Sequence, residues 1–236
     1  MPKPGVVTTV GFDADDTLWH NETIFRLTHD RFAELLGDRA DPADIEARLA
    51  ETEKRNLSLY GYGVKGFTLS LIETAMELCD GEAPAHVVRE ILAAGREMLA
   101  HPVETLPGVD EALAAVSERF RMVLITKGDL FHQERKLAAS GLGELFAAVE
   151  IVSEKDASTY RTVFDRHGTG PAEAAMVGNS MRSDVVAAIE AGAFAAYVPY
   201  PLIWAHEAAQ APDHPRYAEL TSIADVPGWL AAINEG

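Results

Sequence analysis

Five short apolar runs constrain the fold of this chain more than any other feature of its sequence. They cover residues 6–12, 122–126, 149–152, 174–178 and 193–198. Four of them are continuously apolar, which is typical of strands that a parallel sheet buries on both faces. Helical segments separate the later runs, at residues 109–119, 129–140, 158–167 and 183–191. This alternation predicts an α/β fold with a doubly wound, open parallel sheet.

The alternation is interrupted after the first run, because residues 19–102 contain no convincing strand. Amphipathic periodicity predicts four helices there, over residues 22–36, 42–56, 64–79 and 85–99. We therefore predict a core domain of residues 1–18 and 103–236, with an α-helical bundle of residues 19–102 inserted after the first strand. One more helix is predicted near the C-terminus, over residues 226–233.

The composition limits the partners. The chain has 20 Lys and Arg against 37 Asp and Glu, a net charge of −17. Nucleic acids and anionic membranes are bound by basic surfaces, so neither is expected as a partner. A small anionic substrate is compatible with this charge, because its recognition depends on local groups. The sequence carries no signal for an oligomeric state.

The cellular setting follows from what the sequence contains. Cys79 is the single cysteine and lies on an apolar helical stripe, so we predict a buried thiol and a reducing compartment. Residues 1–5 lack the charged start of a signal peptide, and no window approaches 18 apolar residues. We expect a cytoplasmic protein.

Polar side chains follow four of the five predicted strands. The carboxyl ends of parallel strands meet at one edge of an open α/β sheet, where such proteins form their sites. The side chains at these positions are Asp13, Asp15 and Thr17, then Thr126 and Lys127, then Lys155, and finally Asn179 and Asp184.

Phosphoryl transfer fits this set of groups. Asp13 can attack phosphorus as a nucleophile, and Asp15 can protonate the leaving oxygen and later deprotonate water. Asp13 and Asp184 offer the hard oxygen ligands that Mg²⁺ prefers. Lys155 supplies a cation that neutralises the nucleophile and the phosphate oxygens, and the Thr126 hydroxyl can donate to phosphate.

The sequence also allows structural interpretations of other residues near these positions. Lys127 is either a substrate-binding residue beside the phosphate or a surface lysine. Asp16 is interpreted as a capping or surface residue. Trp19 and His20 follow the first motif and belong either to a hinge or substrate pocket or to the packing.

The order and spacing of these motifs resemble the haloacid dehalogenase superfamily of hydrolases, over nearly the full chain. The matching motifs are residues 12–18 (FDADDTL), Thr126, Lys155 and residues 178–184 (GNSMRSD). The resemblance implies a Mg²⁺-dependent phosphatase with Asp13 as nucleophile and Asp15 as acid/base. It also implies that the backbone carbonyl of Asp15 binds the metal.

The inserted helices resemble the helical cap of that superfamily, which selects the substrate. Candidate pocket residues lie near the turn at residues 61–63. They are Arg55, Tyr60, Tyr62 and Lys65.

Two residues depart from the superfamily pattern. Asn179 stands where its phosphatases often have Asp; because an amide can still orient a metal-bound water, we expect retuned metal binding. Asp156 stands where Pro is frequent, which affects the local loop. Asp15 favours a phosphatase, since the related dehalogenases usually lack this second carboxylate. The alternatives are a 2-haloacid dehalogenase, a sugar-phosphate mutase and a catalytically silent binding protein.

Overall fold

The structure is a computed structural model that describes residues 6–235, in which the chain divides into two compact units. The α/β unit comprises the residues up to 20, residues 103–127 and those from 133 onward. The helical unit comprises residues 21–102 and 128–132. Residues 1–5, on which the expectation about a signal peptide depends, lie outside the described residues.

Six strands, all paired in parallel, form the sheet of the described α/β unit. They are β1 (Thr9–Phe12), β2 (Arg121–Lys127), β3 (Ala148–Val152), β4 (Ala174–Gly178), β5 (Phe194–Tyr197) and β6 (Tyr217–Glu219). Their order is β3-β2-β1-β4-β5-β6, so successive connections run away from β1 in two directions. This is the predicted doubly wound sheet, and its switch point lies beside β1.

The five predicted strands are confirmed, and the sixth was missed. β6 has only three residues, none of them fully buried, and lies at the edge of the sheet. It therefore lacks the continuous apolar pattern that marks a central strand. By contrast, every residue of β1 and β4 is buried.

Four helices form the helical unit. They are α1 (Glu22–Leu35), α2 (Pro42–Tyr60), α3 (Val64–Leu78) and α4 (Ala85–Ala100). Pro42 stands in the first turn of α2, where its missing N–H costs nothing. The apolar faces enclose a core of their own, which includes Phe32, Leu49, Phe67 and Ile91. Cys79 is buried with them, as predicted.

Five further helices complete the described chain. They are α5 (Val109–Ser117), α6 (Leu130–Ser140), α7 (Ala157–His167), α8 (Ala187–Ala191) and α9 (Val226–Glu235). A π-helical segment, Met181–Val186, leads directly into α8. None of the described helices combines the length and the apolar character that crossing a membrane requires.

Candidate active site

The carboxyl-terminal edge of the sheet brings the predicted residues together within the α/β unit. Asp13 directly follows β1, Thr126 lies near the end of β2, and Lys155 lies three residues beyond β3. Asp184 lies in the π-helical segment after β4. All four are nearly inaccessible to solvent. Sequence positions that are more than 100 residues apart thus supply one buried polar cluster.

Lys155 joins the two carboxylates at the centre of this cluster. Its ammonium donates to Asp13 Oδ1 and, at 2.7 Å, to Asp184 Oδ1. Burial alone lowers the pKa of a lysine, but these two carboxylates outweigh it and raise the pKa of Lys155 above its ordinary value. Lys155 is therefore a permanent cation between the two acidic groups.

Burial has the opposite effect on the carboxyl group of Asp13. It raises the pKa of Asp13 to about 7, against the lowering effect of the Lys155 ammonium. The neighbouring carboxylate of Asp184 raises the same pKa further, because like charges resist joint ionisation. Two carboxyl groups thus share a single ammonium, so the cluster lacks positive charge at the place where the sequence predicts a metal.

Thr17 connects the first motif to the fourth. Its hydroxyl lies 3.1 Å from Asp13 Oδ2 and 3.2 Å from Asn179 Oδ1, and it accepts the backbone N–H of Asn179 at 3.1 Å. Asn179 thus contacts the first motif through Thr17 rather than Asp13 directly.

Gly178 and Tyr160 support Asp184. A Cβ atom on Gly178 would lie 2.7 Å from Asp184 Cβ, and still closer to its carboxyl group, so only glycine allows this approach. The Tyr160 hydroxyl donates to the backbone carbonyl of Ser183 at 2.9 Å and lies 3.4 Å from Asp184 Oδ1. Backbone shape and a buried phenol therefore fix the orientation of this carboxylate.

Asp15 is bound by Trp19 and by two α6 residues, Gln133 and Lys136, that no sequence motif marked. Its Oδ1 accepts the Trp19 indole N–H at 2.7 Å and the Lys136 ammonium at 2.5 Å. Its Oδ2 accepts from Gln133 Nε2 at 3.2 Å, and the same nitrogen lies 2.7 Å from Thr126 Oγ1. The sequence does carry one signal for the two α6 residues. Gln133 and Lys136 are polar and three positions apart, so they lie on the same face of a helix.

Lys127 forms a second network beside the fourth motif. Its ammonium donates to Glu207 at 2.5 Å and to Ser183 Oγ at 2.9 Å, and Glu207 also accepts from the hydroxyls of Ser180 and Ser183. Burial would raise the pKa of Glu207, but the Lys127 ammonium and the two hydroxyls outweigh it and lower this pKa to about 2. Lys127 is largely buried and ion-paired, which contradicts a surface lysine; its role toward a substrate stays a prediction.

Asp16 corrects another expectation. It is buried, at 6% exposure, rather than on the surface. Its φ of 61° lies in the left-handed region, which Asp tolerates better than most residues.

Asp156, the second departure from the superfamily pattern, caps α7 by accepting the Thr159 N–H at 2.8 Å. Trp19 is buried, and His20 Nδ1 lies 2.7 Å from the Tyr200 hydroxyl.

The predicted pocket residues of the helical unit contact acidic neighbours within that unit. Arg55 pairs with Glu73 and Glu77, and the Tyr60 hydroxyl donates to Glu73 at 2.8 Å. Lys65 Nζ lies 2.9 Å from Asp129 Oδ2. Tyr62 is partly exposed. Their part in substrate selection stays a prediction.

The comparisons with known proteins place this chain in a family. The family model of the haloacid dehalogenase-like hydrolases matches residues 7–192. The chain therefore belongs to the haloacid dehalogenase-like hydrolases. None of the curated proteins matches it in sequence.

Solved structures agree with this assignment. A haloacid dehalogenase-like family hydrolase of Xanthomonas campestris is 41% identical, with a TM-score of 0.88 over 98% of this chain and 93% of that one. A HAD-hydrolase of Bacillus subtilis bound to magnesium is 16% identical, with a TM-score of 0.66 over 95% and 98%. The L-2-haloacid dehalogenase of Xanthobacter autotrophicus, with chloropropionic acid covalently bound, is 16% identical, with a TM-score of 0.65 over 95% and 98%. The last two likenesses show the shared fold alone.

Proposed function

We propose that this protein is a Mg²⁺-dependent phosphatase that hydrolyses a small phosphorylated metabolite, with Asp13 as nucleophile and Asp15 as acid/base. The observation that carries the proposal is the second carboxylate, Asp15, which is held by three side-chain donors two residues from the buried Asp13. A halide leaves carbon without needing a proton, whereas an alkoxide leaving from phosphorus is helped by one. A firmly held carboxyl group at this position therefore favours phosphate esters over haloacids.

The residues have separate tasks in the two steps of this reaction. In the first step an Asp13 oxygen forms a bond to phosphorus, the ester bond breaks, and Asp15 gives its proton to the leaving oxygen. In the second step Asp15 takes a proton from water, which attacks phosphorus, releases inorganic phosphate and restores the Asp13 carboxylate. Lys155 offsets the negative charge at the reacting centre, and the Thr126 hydroxyl donates to phosphate in this proposal.

The donor set of the site fits Mg²⁺. The carboxylates of Asp13 and Asp184 lie close enough to share the Lys155 ammonium, and they would hold the ion together with the backbone carbonyl of Asp15. Among residues 6–235 no group of three or more His, Cys, Asp or Glu side chains is arranged to bind a metal. That agrees with Mg²⁺, which uses one or two carboxylates and retains waters. When bound, the ion would supply positive charge to the nucleophile and the phosphate oxygens.

Phosphate release measures this activity directly. The purified protein is incubated with p-nitrophenyl phosphate and with a panel of phosphorylated metabolites, in the presence of Mg²⁺ or EDTA. We expect turnover that EDTA abolishes and that Asp13→Asn lowers by at least about 10³-fold. Asp213→Asn, which removes an exposed carboxylate by the same substitution, should leave the rate unchanged.

The alternative reactions give different products in the same experiment. Chloride release from 2-chloropropionate without metal would identify a dehalogenase. An isomerised sugar phosphate without free phosphate would identify a mutase. Binding of Mg²⁺ and phosphate esters without any product would identify a silent binding protein. Each of these results would overturn the proposal.

A further inference from the structure

The three donors around Asp15 occupy its two carboxylate oxygens unequally. Oδ1 accepts from both Trp19 and Lys136, at 2.7 and 2.5 Å, whereas within residues 6–235 the single side-chain donor to Oδ2 is Gln133, at 3.2 Å. A carboxylate oxygen has about two lone-pair positions. Oδ1 is therefore fully used, and Oδ2 retains acceptor capacity.

Lys136 is the strongest of these donors. Its ammonium makes a charge-assisted bond, and the Lys136 side chain is only 11% exposed, so solvent screens the contact little. Gln133 lies one helical turn earlier, on the same face of α6. This face of α6 therefore holds the carboxyl group that the proposed reaction uses for proton transfer.

Gln133 also fixes where that carboxyl group lies relative to the phosphate-binding threonine. Its Nε2, which carries two hydrogens, lies 3.2 Å from Asp15 Oδ2, 2.7 Å from Thr126 Oγ1 and 2.9 Å from the Lys127 carbonyl, so these three acceptors share its N–H groups. Among the described residues its Oε1 has no hydrogen-bond partner. The reversed amide would place Oε1 against the Asp15 carboxylate and the Lys127 carbonyl. These acceptors therefore determine the orientation of the amide.

We propose that Lys136 is a positioning residue for the acid/base Asp15, and that it directs proton transfer through Asp15 Oδ2 by occupying Oδ1. The proposal rests on the proposed function, because it assigns a task within that reaction. In the first step the proton on Oδ2 moves to the leaving oxygen as the ester bond breaks. In the second step Oδ2 receives a proton from the attacking water.

The leaving group of the substrate provides a test that a purely structural role would not pass. p-Nitrophenolate leaves readily without a proton, whereas phenolate, which is as basic as the tyrosine side chain, benefits from one. Because both esters share the second step, the leaving group affects kcat/KM, which reports the first step. We expect Lys136→Met to lower kcat/KM for phenyl phosphate by about 10²-fold and kcat/KM for p-nitrophenyl phosphate by less than about 5-fold. Lys136→Arg, which keeps a cationic donor, should recover much of the loss.

Two controls connect the effect to Asp15. Asp15→Asn should show the same preference between the two esters, and adding Lys136→Met to it should cost little more, because both changes remove one function. Lys54→Met makes the same substitution at an exposed position and should change neither rate. Equal losses on both esters for Lys136→Met, or additive losses in the double variant, would overturn the proposal.

A spectroscopic measurement tests the contact without relying on activity. The Trp19 indole N–H shares Asp15 Oδ1 with Lys136, so its NMR resonance, assigned with Trp19→Phe, reports the position of that carboxylate. We expect Lys136→Met and Lys136→Gln to shift this resonance and to speed its hydrogen exchange, and Lys54→Met to leave it in place. An unmoved resonance would overturn the positioning role. If the wild-type protein released no phosphate, the proposed function would fail, and the resonance would still decide whether Lys136 positions Asp15.

Discussion

The two units of the chain treat buried polar groups in opposite ways. In the α/β unit the buried Lys155, Lys136 and Lys127 are each paired with carboxylates at hydrogen-bond distance. In the helical unit the hydroxyls of Thr52 and Thr74 are buried without a hydrogen-bond partner among the described residues. Ion pairs thus offset the burial of charged groups around the candidate site, whereas in the helical unit, as at Gln133 Oε1 in the α/β unit, burial leaves polar atoms uncompensated.

Glu207 and Glu53 show a similar contrast, although Asp13 in the α/β unit shares the raised pKa of Glu53. Glu207, in the α/β unit, has a pKa lowered to about 2 because Lys127 and two hydroxyls offset its burial. Glu53, in the helical unit, has a pKa raised to about 7 by burial, and His29 Nε2 lies 4.0 Å from Glu53 Oε1. Burial also disfavours the charged form of His29, and for a histidine this lowers the pKa. The difference indicates that polar burial serves the candidate site in the α/β unit and costs stability in the helical unit.

Removing the central cation of the α/β unit should have the largest effect. Lys155→Met leaves Asp13 and Asp184 buried without their shared partner, and breaking a buried ion pair in this way costs about 3–5 kcal/mol. Urea denaturation should show this loss, with Lys54→Met as the exposed control. A stability equal to that of the wild type would contradict the pairing described for this unit.

Neutralising Glu207 should destabilise the protein in a pH-dependent manner. Because its pKa falls on folding, its contribution is present above about pH 4.5 and is lost as the pH drops toward 2. Glu207→Gln should therefore lower the free energy of unfolding by on the order of 2–3 kcal/mol at pH 7, and by much less near pH 3. Denaturation curves at both values test this. An equal loss at pH 7 and pH 3 would show that the charge is unimportant.

Neutralising Glu53 should stabilise the protein, whereas neutralising Glu207 should destabilise it. The pKa of Glu53 rises on folding, so its ionisation penalises the folded state increasingly between about pH 4.5 and 7. Glu53→Gln should raise the free energy of unfolding by on the order of 1–2 kcal/mol at pH 8 and change it little at pH 4.5, since the buried amide retains part of the cost. Destabilisation at pH 8 would contradict the contrast between the units.

The smallest expected effect concerns a single hydroxyl on α3. Thr74 Oγ1 is buried without a partner, so Thr74→Val should stabilise the protein by about 1 kcal/mol. Thr68 is the matched control on the same helix, because its hydroxyl donates to the Val64 carbonyl at 2.7 Å. Thr68→Val should give no gain. Similar changes in the thermal midpoint of Thr74→Val and Thr68→Val would contradict the expected difference between the two hydroxyls.

The sequence was sufficient for five of the six strands of the described sheet and for the groups at their carboxyl ends. Strands such as β1 and β4 are buried throughout, and their apolar runs are local signals that need no knowledge of the fold. Asp13 and Asp184 follow β1 and β4, and Thr126 lies near the end of β2, so the topology of a parallel sheet predicts that they meet.

The supporting networks depend on geometry that local sequence does not encode. Lys127 and Glu207 are 80 positions apart, and their contact depends on the path of the irregular segment after β5. Lys136 contacts Asp15 across 121 positions because α6 presents that face to the first motif. β6 was missed because a three-residue edge strand carries almost no pattern.

The most direct test of the account is to find the phosphoryl group on the protein. Asp15→Asn should slow hydrolysis of the intermediate while p-nitrophenyl phosphate, which needs no acid, still reacts. After incubation with Mg²⁺ and an acid quench, peptide mass spectrometry should find a phosphoryl group on Asp13. Phosphate release by the wild-type protein with no adduct on Asp13 in this variant, or with the adduct on another residue, would contradict the account.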